Sequence, residues 1–417
     1  MDGASPSATG DERTTARPVF IISLITAICL LGDSALYVLL PSRLEAFSVS
    51  PTGAGLILGV NRYIRVVSNT GAGWIVERIG LYWPLAFAIL LAAGTTLGYG
   101  LSTGFWALFI AHGLWGVSWS FLRLGGYLAV IESAGGAAIG RFMGLLQGIS
   151  RAGSLVAVVV GGILADTIGG QDTFVVFGVV TLAAFFLLPF GRIPHHLGRK
   201  VVSTTAAPGS SPTSTSLLTD RENLRRLRTL YALAVIAWFL IPGVFMSSAG
   251  YLVSTVAGDG ATFAGLLVGI GALSGILVGV RWAGDMGLGP VFGHLSDRLG
   301  RSKVVLASMT AAASAMLIVA LSPTLPVAMA MFSVIFIAST ALVVSLNASA
   351  AELAPANRRA MVLSRYATWI DIGSGTGATV GLPLVTTAGF GWTYVGAAVL
   401  MALAGLLYWA VFVRMRN

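Results

Sequence analysis

Ten ionisable side chains stand inside long apolar stretches of this chain: Asp33, Arg62, Arg65, His112, Arg123, Arg151, Arg281, Asp285, Arg365 and Asp371. Carboxylates and imidazole can take up and release a proton, and a guanidinium can grip a carboxylate or phosphate through two parallel N–H bonds. Charges of this kind are costly against lipid, so their expected place is a hydrated interior cavity, some of them as structural pairs. No spaced nucleophile–base set and no dense metal cluster accompanies them, so no catalytic residue and no metal site is expected. Cys29 is the single cysteine, which excludes an internal disulfide and a thiolate cluster. His195 and His196 are adjacent but lack further ligands. No cofactor is expected beyond H⁺ as a coupling ion.

Spacing suggests partners. Arg62 and Arg65 are three apart and share a helix face. Asp33 lies about 10 residues before the end of its apolar block and Arg62 about 10 residues into the next, so both sit roughly 15 Å below one surface at 1.5 Å per residue. Pairing of Asp33 with Arg62 or Arg65 is therefore expected, as is an i,i+4 bridge between Arg281 and Asp285. Arg123 and Arg365 lie near enough to the opposite ends to reach lipid headgroups. Arg62, Arg65, Arg151 and Arg281 then give the centre a basic character, which suits an anionic or zwitterionic organic solute.

These residues need elements that cross a membrane. Of 417 residues 56% are hydrophobic and only 10% charged, whereas about a quarter of a soluble domain is charged. Apolar blocks long enough to cross about 30 Å of hydrocarbon fall near 19–42, 52–74, 82–102, 104–128, 142–165 and 173–191, then near 229–252, 266–292, 303–321, 325–349, 362–384 and 391–413. The fold class is an all-α polytopic membrane protein with twelve transmembrane helices in two parallel six-helix repeats. The expected organisation is an N-terminal tail (1–18), a six-helix half (19–191), a linker (192–228), a second six-helix half (229–413) and a short tail (414–417).

With both termini cytoplasmic, the inner side collects Arg78, Arg141, Arg192, Arg225, Arg228, Arg298, Lys303 and Arg414 among others, and the outer loops hold only Arg43. That bias sets the topology and accounts for most of the net charge of +9, so nucleic acid is not an expected partner. The stretch Val201 to Thr219 reads as a flexible linker, and Arg221–Arg228 as a basic helical strip at the inner surface.

A shift of 220 residues lays Gly55, Gly59, Val60, Gly73, Arg78 and Gly80 on Gly275, Gly279, Val280, Gly293, Arg298 and Gly300, and Gly153, Ser154 and Gly161 on Gly373, Ser374 and Gly381. It also lays Arg65 on Asp285 and Arg151 on Asp371. Parallel repeats of this kind enclose a site at their interface. The second copy contains Gly293-His294-Leu295-Ser296-Asp297-Arg298-Leu299-Gly300-Arg301. It resembles the cytoplasmic G-x-x-x-D-R-x-G-R signature of the major facilitator superfamily. The first copy, Gly73-Trp74-Ile75-Val76-Glu77-Arg78-Ile79-Gly80, has Glu77 for Asp and Leu81 at the final basic position.

The resemblance implies secondary transport, with Gly73, Glu77, Arg78, Gly80, Gly293, Asp297, Arg298, Gly300 and Arg301 forming a cytoplasmic gate. Gly293 would permit close helix approach, and Gly300 would let the chain turn. Two family patterns are altered: His112-Gly113-Leu114-Trp115-Gly116 stands where the fourth helix often carries a core Arg. The exporter pattern G-x-x-x-G-P-x-x-G-G reads Gly153 to Gly162 here without its Gly-Pro pair.

The expected function is secondary active transport of a small organic solute, anionic or zwitterionic, by alternating access with proton coupling. Asp33, Arg62, Arg65, His112, Arg151, Arg281, Asp285 and Asp371 are the substrate-binding or coupling residues, and the chain functions as a monomer in a phospholipid plasma membrane, the inner membrane if bacterial. No phosphate-binding loop points to ATP drive. The alternatives are a proton-driven exporter of drugs or amphiphiles and a non-transporting membrane sensor or scaffold.

Overall fold

The computed structural model describes residues 9–133, 139–193, 197, 217–258, 260–263, 266–354 and 359–414. The His195–His196 pair, most of the linker, Arg199, Lys200, Arg358 and Arg416 lie outside them. The first half comprises α1 (Thr9–Ser42), α2 (Pro51–Ile79), α3 (Tyr82–Leu101), α4 (Phe105–Ser133), α5 (Ile139–Thr167) and α6 (Gly170–Ala183), the last continued by a 3₁₀ segment, Ala184–Gly191. The seventh span is α7 (Leu217–Trp238), a π-helical turn (Phe239–Phe245) and α8 (Met246–Ala257). The eighth is α9 (Ile270–Gly287) and α10 (Gly289–Leu299), followed by α11 (Arg301–Leu321), α12 (Leu325–Leu353), α13 (Arg359–Thr387) and α14 (Gly389–Tyr408).

Among the described residues nine helices are long and apolar enough to cross a membrane. The remaining spans of the twelve are α2, α9–α10 and α13, which carry Arg62, Arg65, Arg281, Asp285 and Asp371. Their lower apolarity follows from the charges they bring to the interior. Successive spans alternate in direction, so the start of the first span and the end of the twelfth lie on one face, called here the terminal face; the opposite one is the far face.

Several boundaries differ from the sequence reading. α1 begins inside the stretch read as a tail, and α7 begins at Leu217 inside the stretch read as linker, where Glu222 and Arg226 form an i,i+4 ion pair at 2.6 Å. The eighth span starts at Ile270, because the preceding residues form an antiparallel hairpin of β1 (Gly260–Phe263) and β2 (Leu266–Gly269), with Gly260 opposite Gly269. That span also breaks between Gly287 and Gly289, where Pro290 supplies no N–H to continue the ladder. The π-turn of the seventh span surrounds Pro242 for the same reason.

The 220-residue repeat is visible in the packing. A Cβ on Gly153 would stand 2.5 Å from Ala27 Cα, so α5 and α1 touch backbone to backbone. Its counterpart Gly373 likewise brings α13 close to Val235 of α7, with a Cβ 3.0 Å from Val235 Cα. At the interface of the halves, Gly55 of α2 meets Thr379 O and Pro383 of α13, and its counterpart Gly275 of α9 meets Val158 and Val159 of α5. The same glycines do the same job in both copies, as close helix packing in lipid requires.

Candidate functional site

The halves meet tightly at the far face. Gly162 of α5 packs against Gly271 of α9, Gly250 of α8 against Val38 and Ser42 of α1, and Tyr63 of α2 donates to Thr376 Oγ1 of α13 at 3.2 Å. Asp166, at the end of α5, binds this face together. Its Oδ1 accepts from Gly271 N–H at 2.9 Å and its Oδ2 from Ala272 N–H at 2.8 Å, while Arg43 reaches Oδ1 at 2.5 Å. A carboxylate of the first half thus caps the first turn of a helix in the second, where the peptide dipoles favour negative charge. Toward the terminal face the contacts end: a Cβ on Gly71, Gly73, Gly144, Gly148, Gly287 or Gly289 would meet no atom within 4 Å.

A cavity of about 500 Å³ lies between, reached by the first, second, fourth, fifth, seventh, eighth, tenth and eleventh spans. The third, sixth, ninth and twelfth spans contribute nothing to its lining, which makes them the outer buttress of each half. Five arginines (Arg62, Arg65, Arg123, Arg151 and Arg281) and three aspartates (Asp33, Asp285 and Asp371) line it.

The charges pair across the interface. Asp371 of α13 lies 3.8 Å from Arg65 and 4.0 Å from both Arg62 and Arg123. Asp285 of α9 lies 4.0 Å from Arg151 of α5 and accepts from Thr340 Oγ1 at 2.8 Å. The arginine–aspartate separations exceed the 2.7–2.9 Å of a close charge-assisted hydrogen bond, so the guanidiniums keep N–H donors for another acceptor. Trp282 is shared by two cations, with Arg151 5.0 Å and Arg281 5.2 Å from its ring centre.

Asp33 faces the cavity from α1 and accepts from Asn61 Nδ2 at 3.1 Å. His112 stands behind it, fully buried, with Nε2 4.0 Å from the Asp33 carboxylate and Nδ1 2.9 Å from Tyr99 O–H. His112 also belongs to a stack with Trp115 and Trp119.

Some expected partners are replaced. Asp33 forms no ion pair with Arg62 or Arg65 among the described residues, because both guanidiniums turn to Asp371. Arg281 and Asp285 form no i,i+4 bridge, because Asp285 is held by Arg151 and Thr340. Arg123 turns into the cavity instead of toward headgroups, while Arg365 stays exposed outside the lining.

The two signature motifs are also differently engaged. A Cβ on Gly73 would meet no atom within 4 Å and one on Gly293 only Val344, at 3.8 Å, so neither glycine makes a close helix approach in this conformation. Gly80 and Gly300 do take positive φ values, 83° and 89°, where the chain leaves its helix. Asp297 pairs with Arg301 at 3.8 Å and Arg301 also binds Glu352 of α12, all within the second half. Arg78 lies over the Trp74 ring at 3.8 Å, and no ion pair is found for Glu77 or Arg298 among the described residues.

Asp166, Tyr99, Thr340 and Glu352 were not singled out by sequence. Asp166 had a usable signal, since Arg43 is the lone basic residue of the outer loops and a partner for it was to be sought at a span end. The others are ordinary residue types whose roles depend on helix packing.

Comparison with known proteins places this architecture. The model of the Major Facilitator Superfamily matches residues 22–287 and 282–417. A curated relative, the "Probable vesicular acetylcholine transporter-B" of Danio rerio, is 23% identical over 192 residues, 43% of this chain and 39% of that protein. The chain therefore matches well under half the length of that relative. Among solved structures, a POT family transporter in complex with 5-aminolevulinic acid superposes with a TM-score of 0.75 at 12% identity, covering 94% of this chain and 95% of that one. A bacterial homolog of the human lysosomal transporter Spinster, in an inward-facing and unoccupied conformation, gives 0.73 at 14% identity, covering 97% and 98%. The nucleoside transporter NupG gives 0.73 at 16% identity, covering 96% and 99%. A family model spanning nearly the whole described membrane portion, with the G-x-x-x-D-R-x-G-R signature in the second half, a degenerate copy in the first and twelve spans in two halves, means that the chain belongs to the Major Facilitator Superfamily.

Proposed function

We propose that the chain is a secondary active transporter that carries a small organic anion or zwitterion across a plasma membrane by alternating access, coupled to protons. The observation that carries this reading is the charged cavity between the halves, sealed at the far face and open toward the terminal face. With the Lys and Arg bias fixing the terminal face as cytoplasmic, this conformation is inward-facing. Closing the terminal face while releasing Asp166 and the glycine contacts at the far face would expose the same charges to the other side.

Five arginines against three aspartates favour a solute bearing negative charge. The POT structure holds 5-aminolevulinic acid, a zwitterion with a carboxylate, on a similar fold. The name of the Danio rerio relative instead points to a cation. A cationic solute would meet the surplus of guanidiniums unfavourably, so this is the secondary reading. Asp33, bordering the cavity and backed by His112 and Tyr99, is the proton-coupling group in this scheme.

The test is uptake and exchange by the purified chain in liposomes, across organic anions, zwitterions and hydrophobic cations, with and without a pH gradient. Saturable anion or zwitterion flux that rises with the gradient is expected. Binding without net or exchange flux would instead support a scaffold, and gradient-driven flux of cations alone would support the exporter.

A further inference from the structure

Within the cavity, the charges are unequally satisfied. Asp371 is surrounded by three guanidiniums and Asp285 by one, but Arg281 has no ion pair among the described residues. Arg281 is only 6% exposed, yet its Nε and Nη1 have no hydrogen-bond acceptor, and neither has Nε1 of the adjoining Trp282. A buried cation with idle donors is costly unless an acceptor arrives. Both Arg281 and Trp282 line the cavity, as do Arg151 and Asp285 beside them.

We propose that Arg281 and Trp282 of the second half, together with Arg151 of the first, form a carboxylate sub-site, and that its occupant competes with Asp285 for Arg151. The proposal rests on the carrier reading and names the chemical group that the cavity holds. Three arguments support a carboxylate. The guanidinium fork and a neighbouring indole N–H match the lone pairs of a planar two-oxygen anion. The local charge is Arg151 and Arg281 against Asp285, a surplus of one, which a monoanionic head neutralises. A phosphate monoester at about −1.5 to −2 would overshoot it. Finally, Arg151 sits on the opposite half from Arg281 and over the same indole, so one small anion can contact both halves at once.

Partner exchange follows from the distances. Asp285 holds Arg151 at 4.0 Å while its hydrogen bond with Thr340 is closer, at 2.8 Å. An arriving carboxylate can therefore take Arg151 without leaving Asp285 unsatisfied. Loading the site replaces an intrinsic bridge between the halves with one that contains the solute.

The experiment uses the full chain in lipid nanodiscs, with benzoate, propionate and glutarate as probes and their amides as neutral controls. Tryptophan fluorescence and the thermal midpoint are the readouts. The acids should bind saturably and the amides should not. Arg281→Gln should weaken the acids at least tenfold, with Arg281→Lys falling between it and the wild type. Asp285→Asn, which frees a second guanidinium, should bind the acids at least threefold more tightly and regain its lost thermal stability when they are added. Opposite signs in the two variants separate an anion site from general damage. The proposal is overturned if amides bind as well as acids, if Arg281→Gln stays within twofold of the wild type, or if Asp285→Asn binds more weakly. Liposome flux separates the two readings: carboxylate binding without transport of any solute keeps the sub-site and removes the carrier, whereas flux unaffected by carboxylates or by Arg281→Gln keeps the carrier and removes the sub-site.

Discussion

Arg65 and Asp371 lie 3.8 Å apart across the interface of the halves, and the internal repeat relates this pair to Asp285 and Arg151. The shift of 220 residues carries position 65 to 285 and position 151 to 371. The two bridges are therefore one contact made twice by pseudo-symmetry, with basic and acidic ends exchanged so that the first half always supplies arginine. Their loads differ, because Asp371 also faces Arg62 and Arg123. Asp371→Asn leaves three guanidiniums uncompensated and should cost more than Asp285→Asn, on the order of the 3–5 kcal/mol seen when a buried pair loses one partner. Thermal unfolding in detergent should show the larger fall for Asp371→Asn. Adding Arg123→Gln to it should restore part of the loss.

Asp166 should govern the far face. Its bonds to Gly271 and Ala272 join it to the second half, while Arg43 of its own half holds the same carboxylate. Hydrogen bonds to a charged group contribute about 1.5–3 kcal/mol, so Asp166→Asn should raise the far-open population about tenfold. Spin-label distances between the far ends of α5 and α9 would report it, and an unchanged distribution would remove Asp166 from that role.

Close packing at Gly162 gives a complementary handle. A Cβ there would press on the Gly271 backbone, 2.6 Å from its carbonyl carbon. Gly162→Val should hold the far face open, reduce transport by about tenfold or more, and leave the protein monodisperse. With Cys29→Ala and Ser34→Cys, thiol labelling from the far side should rise in the same variant.

Asp33 borders the cavity, whereas His112 is enclosed behind it with Tyr99. Asp33→Asn should lower uptake in a pH gradient to the level measured without one, while solute exchange persists. Tyr99→Phe, which removes the hydroxyl that meets His112 Nδ1, should shift the pH profile of uptake without flattening it. Retained gradient dependence in Asp33→Asn would exclude that carboxylate as the coupling group.

Much of this architecture was legible because lipid imposes a simple rule. Apolar blocks of about 20 residues became spans, and the glycines at the 220-residue offset became matching contacts such as Gly55 with Thr379 and Gly275 with Val158. The interior charges were legible as a set, since most of them line one cavity. Their pairing was not. Depth and helical spacing joined Asp33 to Arg62 and Arg281 to Asp285, but lateral placement of α13 beside α2 and of α5 beside α9 redirected the arginines across the interface. Gly293 reads as a contact glycine from sequence, yet helix approach there depends on which face is closed. Asp166 escaped notice because its value comes from the α9 N-terminus, whose start at Ile270 was hidden behind the hairpin.

Paired distances taken on both faces of the same protein test alternating access most directly. Spin labels at the far ends of α5 and α9, and in a second sample at their terminal-face ends, would be measured in nanodiscs for the wild type and for Asp166→Asn. The account predicts opposite changes, with the far-face distance lengthening as the terminal-face distance shortens. Distances that stay fixed on both faces, or that lengthen together, would contradict it.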